Sequence, residues 1–335
     1  MSACLRALRD RHDVELLVYR WESSSAAPFD VRELGLGDAV RNKTNVSRRE
    51  LFRALDSFSP DGMIVSGWVD GDYVWAARRA RLRGVPVVAG SDAQWNGSVR
   101  QWAAVAASPI VLRSAFDVLW VSGERQRAYA RKLGFHGSRC WIGNYACDWD
   151  RFARPDRKDA PRSFLFVGRY VEAKGIDLLV EAYRRYRSRV VDPWNLRCAG
   201  TGPLAHLLAG EQGVEDLGFT QPGKLPDLYS SSGVFVLPSR WEPWGVVLQE
   251  AAASSMALVA SEASGAAVHL VQPGYSGLTF EAGSADDLAE CLERMHGLSD
   301  QARSALGARA FDLSKQWTPA RWADTLAEGL TRLSK

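Results

Sequence analysis

A chain of 335 residues, 46% apolar and 24% charged, has the size for two globular domains and the apolar content to fill both cores. A net charge of +3 lacks the strong basic field that nucleic-acid binding needs. Five scattered cysteines (Cys4, Cys140, Cys147, Cys198 and Cys291) form no Cys-x-x-Cys pair and fit buried thiols in a reducing compartment, and no apolar run reaches the roughly 18 residues of a membrane span.

In chain order, Ser2–His12 reads as the end of a helix feeding a strand at Val14–Tyr19. Arg6, Arg9, Asp10 and Arg11 interrupt its apolar residues, which is not a signal-peptide pattern. A doubly wound domain opens with a strand that lies centrally in its sheet. The expectation is therefore that an opening strand and its Gly-rich turn are missing ahead of Ser2, with a shorter domain as the alternative. Strands at Gly62–Val65, Pro86–Ala89, Val118–Val121 and Cys140–Ile142 then alternate with helices at Arg48–Phe58, Asp72–Arg83 and Glu124–Leu133. That order predicts a parallel sheet covered on both faces. The basic run Arg78–Arg83 reads as a solvated helix face ending at Gly84, with an anionic membrane surface or an acidic acceptor as the alternative.

Asp150–Arg162 is polar and contains two prolines, as a domain linker would. The alternation restarts with a strand at Ser163–Val167 and a helix at Ile176–Arg187 capped by Asp177. Strands follow at Leu196–Ala199, Val214–Leu217, Val234–Leu237, Leu258–Ala260 and Gly277–Phe280, and an amphipathic helix closes the chain from Pro319 to Leu333. The predicted domains are 1–150 and 163–318. The helix at 319–335 would pack back toward the first domain. The fold class is α/β, with two doubly wound, Rossmann-like domains across a cleft.

The densest chemistry lies in Ser239-Arg-Trp-Glu-Pro-Trp-Gly-Val-Val-Leu-Gln-Glu-Ala251. Pro238 ends the strand, Pro243 sits near a helix start, and Trp244 or Gly245 opens a helix running to about Ser255. A bare helix N-terminus presents N–H groups to an anion. Glu242 on the turn and Glu250 in the helix can accept hydrogen bonds from hydroxyls, so phosphate and sugar together point to a sugar nucleotide. Gly168-Arg169 and Lys174-Gly175 flank a loop after the first strand of the same domain. A diphosphate there calls for a forked guanidinium and a mobile ammonium. Gly200-Thr-Gly-Pro-Leu-Ala205 mimics a dinucleotide fingerprint, but it follows the second strand and lacks the partner acid. A tight turn bringing backbone near a nucleotide accounts for it better.

Phe166-Val-Gly-Arg-Tyr-Val-Glu-Ala-Lys-Gly-Ile176, Gly200-Thr-Gly-Pro203, Val236–Ala251 and Ser276–Ser284 together resemble the signature of family 4 of the glycosyltransferases, strongly from about residue 140 onward and only topologically before it. The resemblance implies a GT-B fold and a retaining transfer of a hexose from a nucleoside diphosphate sugar, UDP favoured over GDP, to a glycan, lipid-linked or small-molecule acceptor. It implies that Arg169 and Lys174 bind the diphosphate beside Gly168. Glu242 would bind donor-sugar hydroxyls, Glu250 the ribose, and the backbone of Trp244, Gly245 and Val246 the sugar and phosphate. Phe219 would lie beside the base. No metal or other cofactor is required. Where the family carries a His after a strand like Val85–Ala89, this chain has Gly90-Ser-Asp-Ala-Gln-Trp-Asn96, leaving Asp92 and Asn96 as acceptor-side candidates. The family's Gly-Gly-x-Pro-Glu run appears as Gly265-Ala-Ala-Val-His269. These departures keep a second reading open: a catalytically inactive sugar-nucleotide-binding subunit that scaffolds an active partner. The chain reads as cytoplasmic, with weak peripheral attachment to the inner face of a membrane as a further expectation.

Overall fold

The structure is a computed structural model that describes residues 1–22, 35–44, 46–155, 157 and 161–335. The chain divides into two compact units, Met1–Ala146 with Pro319–Lys335, and Cys147–Thr318.

The first unit runs α1 (Ser2–His12), β1 (Val18–Arg20), β2 (Val40–Asn42), α2 (Arg48–Phe58), β3 (Met63–Val65), α3 (Gly71–Leu82), β4 (Val87–Ser91), α4 (Val99–Val111), β5 (Val118–Val121), α5 (Glu124–Lys132) and β6 (Cys140–Ile142). Strands β3 to β6 form a parallel sheet in sequence order, and β1 pairs with β2 in a separate parallel ribbon. Alternation along the strands fills both faces. Val88, Val118 and Trp120 face Cys4, Leu8 and Trp322, while Val87, Ala89, Leu119 and Val121 face Ala76, Ala77 and Phe116. Ser47 and Glu50 start α2 with a reciprocal capping box. The predicted strand at Val14–Tyr19 shortens to β1, because only Val18–Arg20 finds a partner strand; Val14 and Leu16 pack into the cluster around Leu8. A cavity of about 1560 Å³ within this unit is lined by both the β1 edge and the β3 edge.

The second unit holds α6 (Trp149–Phe152), β7 (Ser163–Val167), α7 (Ile176–Arg189), β8 (Asn195–Ala199), β9 (Val214–Asp216), α8 (Leu225–Ser230), β10 (Val234–Leu237), α9 (Val246–Ala253), β11 (Ala257–Ser261), α10 (Ala267–Leu270), β12 (Gly277–Phe280), α11 (Ala285–Gly297) and α12 (Asp300–Ser314). Its six parallel strands run β12-β11-β10-β7-β8-β9, the doubly wound order with its crossover between β7 and β10. The polar stretch read as a linker begins with the helical turn α6, whose Phe152 packs edge-on to Tyr229; residues 156 and 158–160 lie outside the described residues.

The chain then returns to the first unit as α13 (Pro319–Leu333), which packs along α1. There the Trp322 indole N–H donates to Asn144 O at 2.8 Å, and its ring stacks 4.9 Å from that of Trp120. No helix among the described residues is long and apolar enough to cross a membrane.

Candidate functional site

The crossover places two loops side by side at the carboxyl ends of β7 and β10. Helices leave adjacent strands in opposite directions there, which opens a crevice at the strand ends. The loops are stitched together. Ala173 C=O accepts from the N–H groups of Arg240 (3.1 Å) and Trp241 (3.4 Å). Arg240 forks onto Asp177 at 2.7 and 2.8 Å and also donates to Glu172 O at 2.9 Å. Burial works to raise the Asp177 carboxyl, but the Arg240 guanidinium outweighs it and holds the group below its ordinary range. Asp177 is thus not the cap of α7. Gly175 takes the N-cap position at φ 69°, and Asp177 in the first turn anchors the neighbouring loop.

Gly175 shows why the loops can approach. A Cβ there would lie 2.1 Å from Pro238 O. This contact brings the Lys174 ammonium onto the Glu242 carboxylate, where Oε2 also accepts from Ser239 Oγ at 3.2 Å. Glu242 is buried and Lys174 half-buried. Hence the two side chains that the sequence pairs with phosphate and sugar already form one polar cluster. Arg169 is exposed on the same rim, after Gly168, and its guanidinium has no hydrogen-bond or ion-pair partner among the described residues.

Helix α9 starts at Val246, two residues later than the earliest predicted start, because Gly245 occupies the N-cap at φ 98°. Pro243 stands before the cap, not inside the first turn. No side chain caps this end, and among the described residues nothing accepts from the N–H groups of Trp244, Gly245 or Val246. The Trp244 side chain points inward instead. Its ring is 2% exposed and packs 4.8 Å from that of Trp317 and 5.8 Å from that of His269. Only its backbone remains at the rim. The contact also explains the departure at position 269, where an imidazole completes an aromatic cluster. Main-chain bonds from Gly265 N to Glu242 O (3.0 Å) and Ala266 N to Trp244 O (2.9 Å) fasten this loop to the one after β11.

Glu250 lies on the second turn of α9. Burial pushes its carboxyl up to about 7, against the pull of the Tyr229 hydroxyl, which donates to Oε2 at 2.9 Å. Tyr229, Ser239 and Arg240 are site residues that the sequence did not single out. Tyr229 lies in an apolar helical run with nothing to mark its hydroxyl, and the Arg240–Asp177 fork joins positions 63 apart in sequence.

The Gly200–Gly202 turn serves the backbone of its neighbour. A Cβ on Gly200 would lie 1.8 Å from Gly168 O, and one on Gly202 2.3 Å from Tyr170 O. Tyr170 N donates to Thr201 O at 2.8 Å, and Gly200 N to Gly218 O at 2.8 Å. The half-buried Phe219 follows Gly218, so the loops after β7, β8 and β9 form one continuous rim. Asp92 and Asn96 belong to the first unit and line its cavity, which none of Arg169, Lys174, Glu242 and Glu250 lines. Asn96 is exposed, and its Oδ1 accepts from Ser98 N at 3.0 Å in the turn before α4.

Residues 148–311 match the family described as glycosyl transferases group 1. A D-inositol 3-phosphate glycosyltransferase of Corynebacterium aurimucosum is 33% identical over 173 residues, 48% of this chain and 41% of the relative. An alpha-maltose-1-phosphate synthase of Mycobacterium tuberculosis is 36% identical over 115 residues, 30% of this chain and 28% of that one. The matched stretch thus spans less than half the length of either relative. Among solved structures, Anabaena Alr3699/HepE in complex with UDP superposes with a TM-score of 0.79 at 16% identity, covering 99% of this chain and 96% of that one. Sucrose-phosphate synthase from Thermosynechococcus elongatus superposes at 0.71 and 17% identity, covering 98% and 91%. The chain has the GT-B fold, and its residues 148–311 are similar to the glycosyl transferases of group 1.

Proposed function

We propose that this chain is a retaining glycosyltransferase of family 4 that moves a hexose from a nucleoside diphosphate sugar, UDP favoured over GDP, to a glycan, lipid-linked or small-molecule acceptor. The observation that carries the reading is the gathering, at one sheet crossover, of Arg169, Lys174 and the uncapped N–H groups of Trp244, Gly245 and Val246. Two cations and a row of amides match the charge of a pyrophosphate. Glu242 holds the Lys174 ammonium in place and accepts from donor-sugar hydroxyls. Glu250 accepts from the ribose hydroxyls, and Phe219 sits against the base. The similarity to group 1 glycosyl transferases across this unit supports the assignment.

In the transfer, the bond between the anomeric carbon and the diphosphate oxygen breaks with its electron pair on that oxygen. Arg169, Lys174 and the amide row stabilise the growing negative charge. The acceptor oxygen bonds to the anomeric carbon on the same face and passes its proton to the departing phosphate. The chain's own groups supply the charge stabilisation, with no metal invoked.

The Gly90–Asn96 stretch without a His favours one other reading, a sugar-nucleotide-binding subunit without turnover. Calorimetric titration with UDP and GDP, followed by NMR of the product anomer from UDP- and GDP-hexoses, separates the two. Tight nucleotide binding with a retained anomer is expected. Binding without turnover would establish the silent subunit, and no binding of either nucleotide would end both readings.

A further inference from the structure

Helix α4 buries little of itself. Of its thirteen residues only Ser108 is buried, and Val99 (85%), Trp102 (57%) and Ile110 (77%) are among the most exposed large apolar residues of the described chain. With Ala103 and Ala106, also exposed, they follow helical spacing along one face. Such a stripe should cost solubility unless something covers it. Trp75 and Leu82 on α3 extend it, so six of the fourteen exposed large apolar residues among the described residues, Val111 included, fall on these two helices.

Cations surround the stripe. Arg78 sits 5.3 Å from the Trp75 ring and donates to Ile110 O at 2.9 Å, tying α3 to the end of α4. Lys132 on α5 lies 5.9 Å from the Trp102 ring, and Arg100 and Arg113 are exposed at the two ends of α4. Helix α4 has no acidic residue, and α3 and α5 contribute one each, Asp72 and Glu124. Asp72 is engaged by Lys43 and Arg48, and Glu124 faces Arg127. A face that is apolar along its centre, basic at its rim and carries tryptophans at the boundary matches an anionic lipid surface in both chemistry and charge.

We propose that α4, flanked by Trp75 and Leu82 of α3 and Lys132 of α5, docks the first unit onto an anionic membrane with the helix lying in the interfacial plane. This placement rests on the first unit alone and is independent of the nucleotide site. The apolar stripe enters the boundary of the acyl chains, and the exposed Arg100, Arg113 and Lys132 meet the headgroups.

Co-sedimentation tests it, with vesicles of equal parts phosphatidylglycerol and phosphatidylcholine and pure phosphatidylcholine as the neutral control. Binding at least about tenfold stronger to the anionic vesicles, weakened by added salt, is expected. Trp102→Glu and Ile110→Glu should each abolish it with melting temperature and UDP affinity unchanged. Val191→Glu, at an equally exposed apolar position in the second unit, should leave it intact. Equal binding by parent and Trp102→Glu, or no binding to anionic vesicles, would overturn the proposal. Light scattering that shows a dimer dissolved by Trp102→Glu would assign the face to a second copy of this chain instead.

Discussion

In the second unit the sheet is unbroken from β9 to β12, whereas in the first, among the described residues, it stops at β1 and starts again at β3. The consequences differ. An unbroken doubly wound sheet puts its crossover at the centre, and the loops there are held by strands paired on both sides. That rigidity keeps Lys174 against Glu242 and leaves the α9 amides bare. The first unit has a large cavity against its β1 and β3 edges, and the Tyr73 hydroxyl donates to Tyr19 O at 3.2 Å where strand pairing would otherwise occur. One unit is built around close backbone contacts, the other around an opening, and the acceptor-side candidates Asp92 and Asn96 fall on the wall of that opening.

The sharpest way to break this comparison is to place a methyl group on each kind of glycine. Gly175→Ala forces a Cβ against Pro238 O at φ 69° and should lower stability by about 2–4 kcal/mol while separating Lys174 from Glu242. Gly84→Ala in the first unit has φ 80° but nothing within 4 Å, so about 1 kcal/mol is expected. Equal losses in urea titrations would show that the Gly175 contact is not what holds the rim.

Lys174→Ala and Arg169→Ala come next. Removing the half-buried ammonium leaves Glu242 buried without its cation, so about 1–3 kcal/mol of stability should go along with nucleotide affinity. The exposed Arg169 should change stability by no more than about 0.5 kcal/mol yet still weaken UDP binding about tenfold. If calorimetry finds UDP affinity unchanged in both variants, the diphosphate assignment fails.

Glu250 makes a pH prediction. Its carboxyl is raised from 4.5 to about 7, so the folded state binds more protons across that window. Its contribution to stability is therefore lost as pH rises from about 4.5 to 7 and stays lost above it. Glu250→Gln removes this penalty and should melt higher than the parent at about pH 8. Nucleotide affinity should fall about tenfold, since hydroxyl donors favour the ionised carboxylate. A lower melting temperature there would contradict the burial argument.

The smallest effect lies in amide exchange. Met63 N donates to Pro86 O, so by strand alternation the Ile64 amide faces away from β4 toward the open edge. Phe164 lies in β7, flanked by β8 and β10. Ile64 should exchange at least about tenfold faster. Comparable protection would show that the β3 edge is covered in solution.

Much of this was legible in the sequence because strands buried on both faces are written as short apolar runs. Val118–Val121, Cys140–Ile142, Ser163–Val167, Val234–Leu237 and Gly277–Phe280 stand where the pattern puts them. Short strands with weak pattern fared worse, as with the shortening of Val14–Tyr19, and α4 has an exposed apolar face that gives no inward-facing period to follow. Within the site, residue types and spacing marked Arg169, Lys174, Glu242 and Glu250, but partners far apart in the chain left no local trace.

The amino-acid sequence by itself determined the alternation of strands and helices, the chemistry of the two loops and the glycines they need, because periodicity and turn geometry are local properties. Only the tertiary structure decided that Glu242 faces Lys174, that Trp244 turns into an aromatic cluster and that Tyr229 meets the half-buried Glu250. Those outcomes depend on which strands become neighbours, and strand order is set by the packing of whole faces against one another.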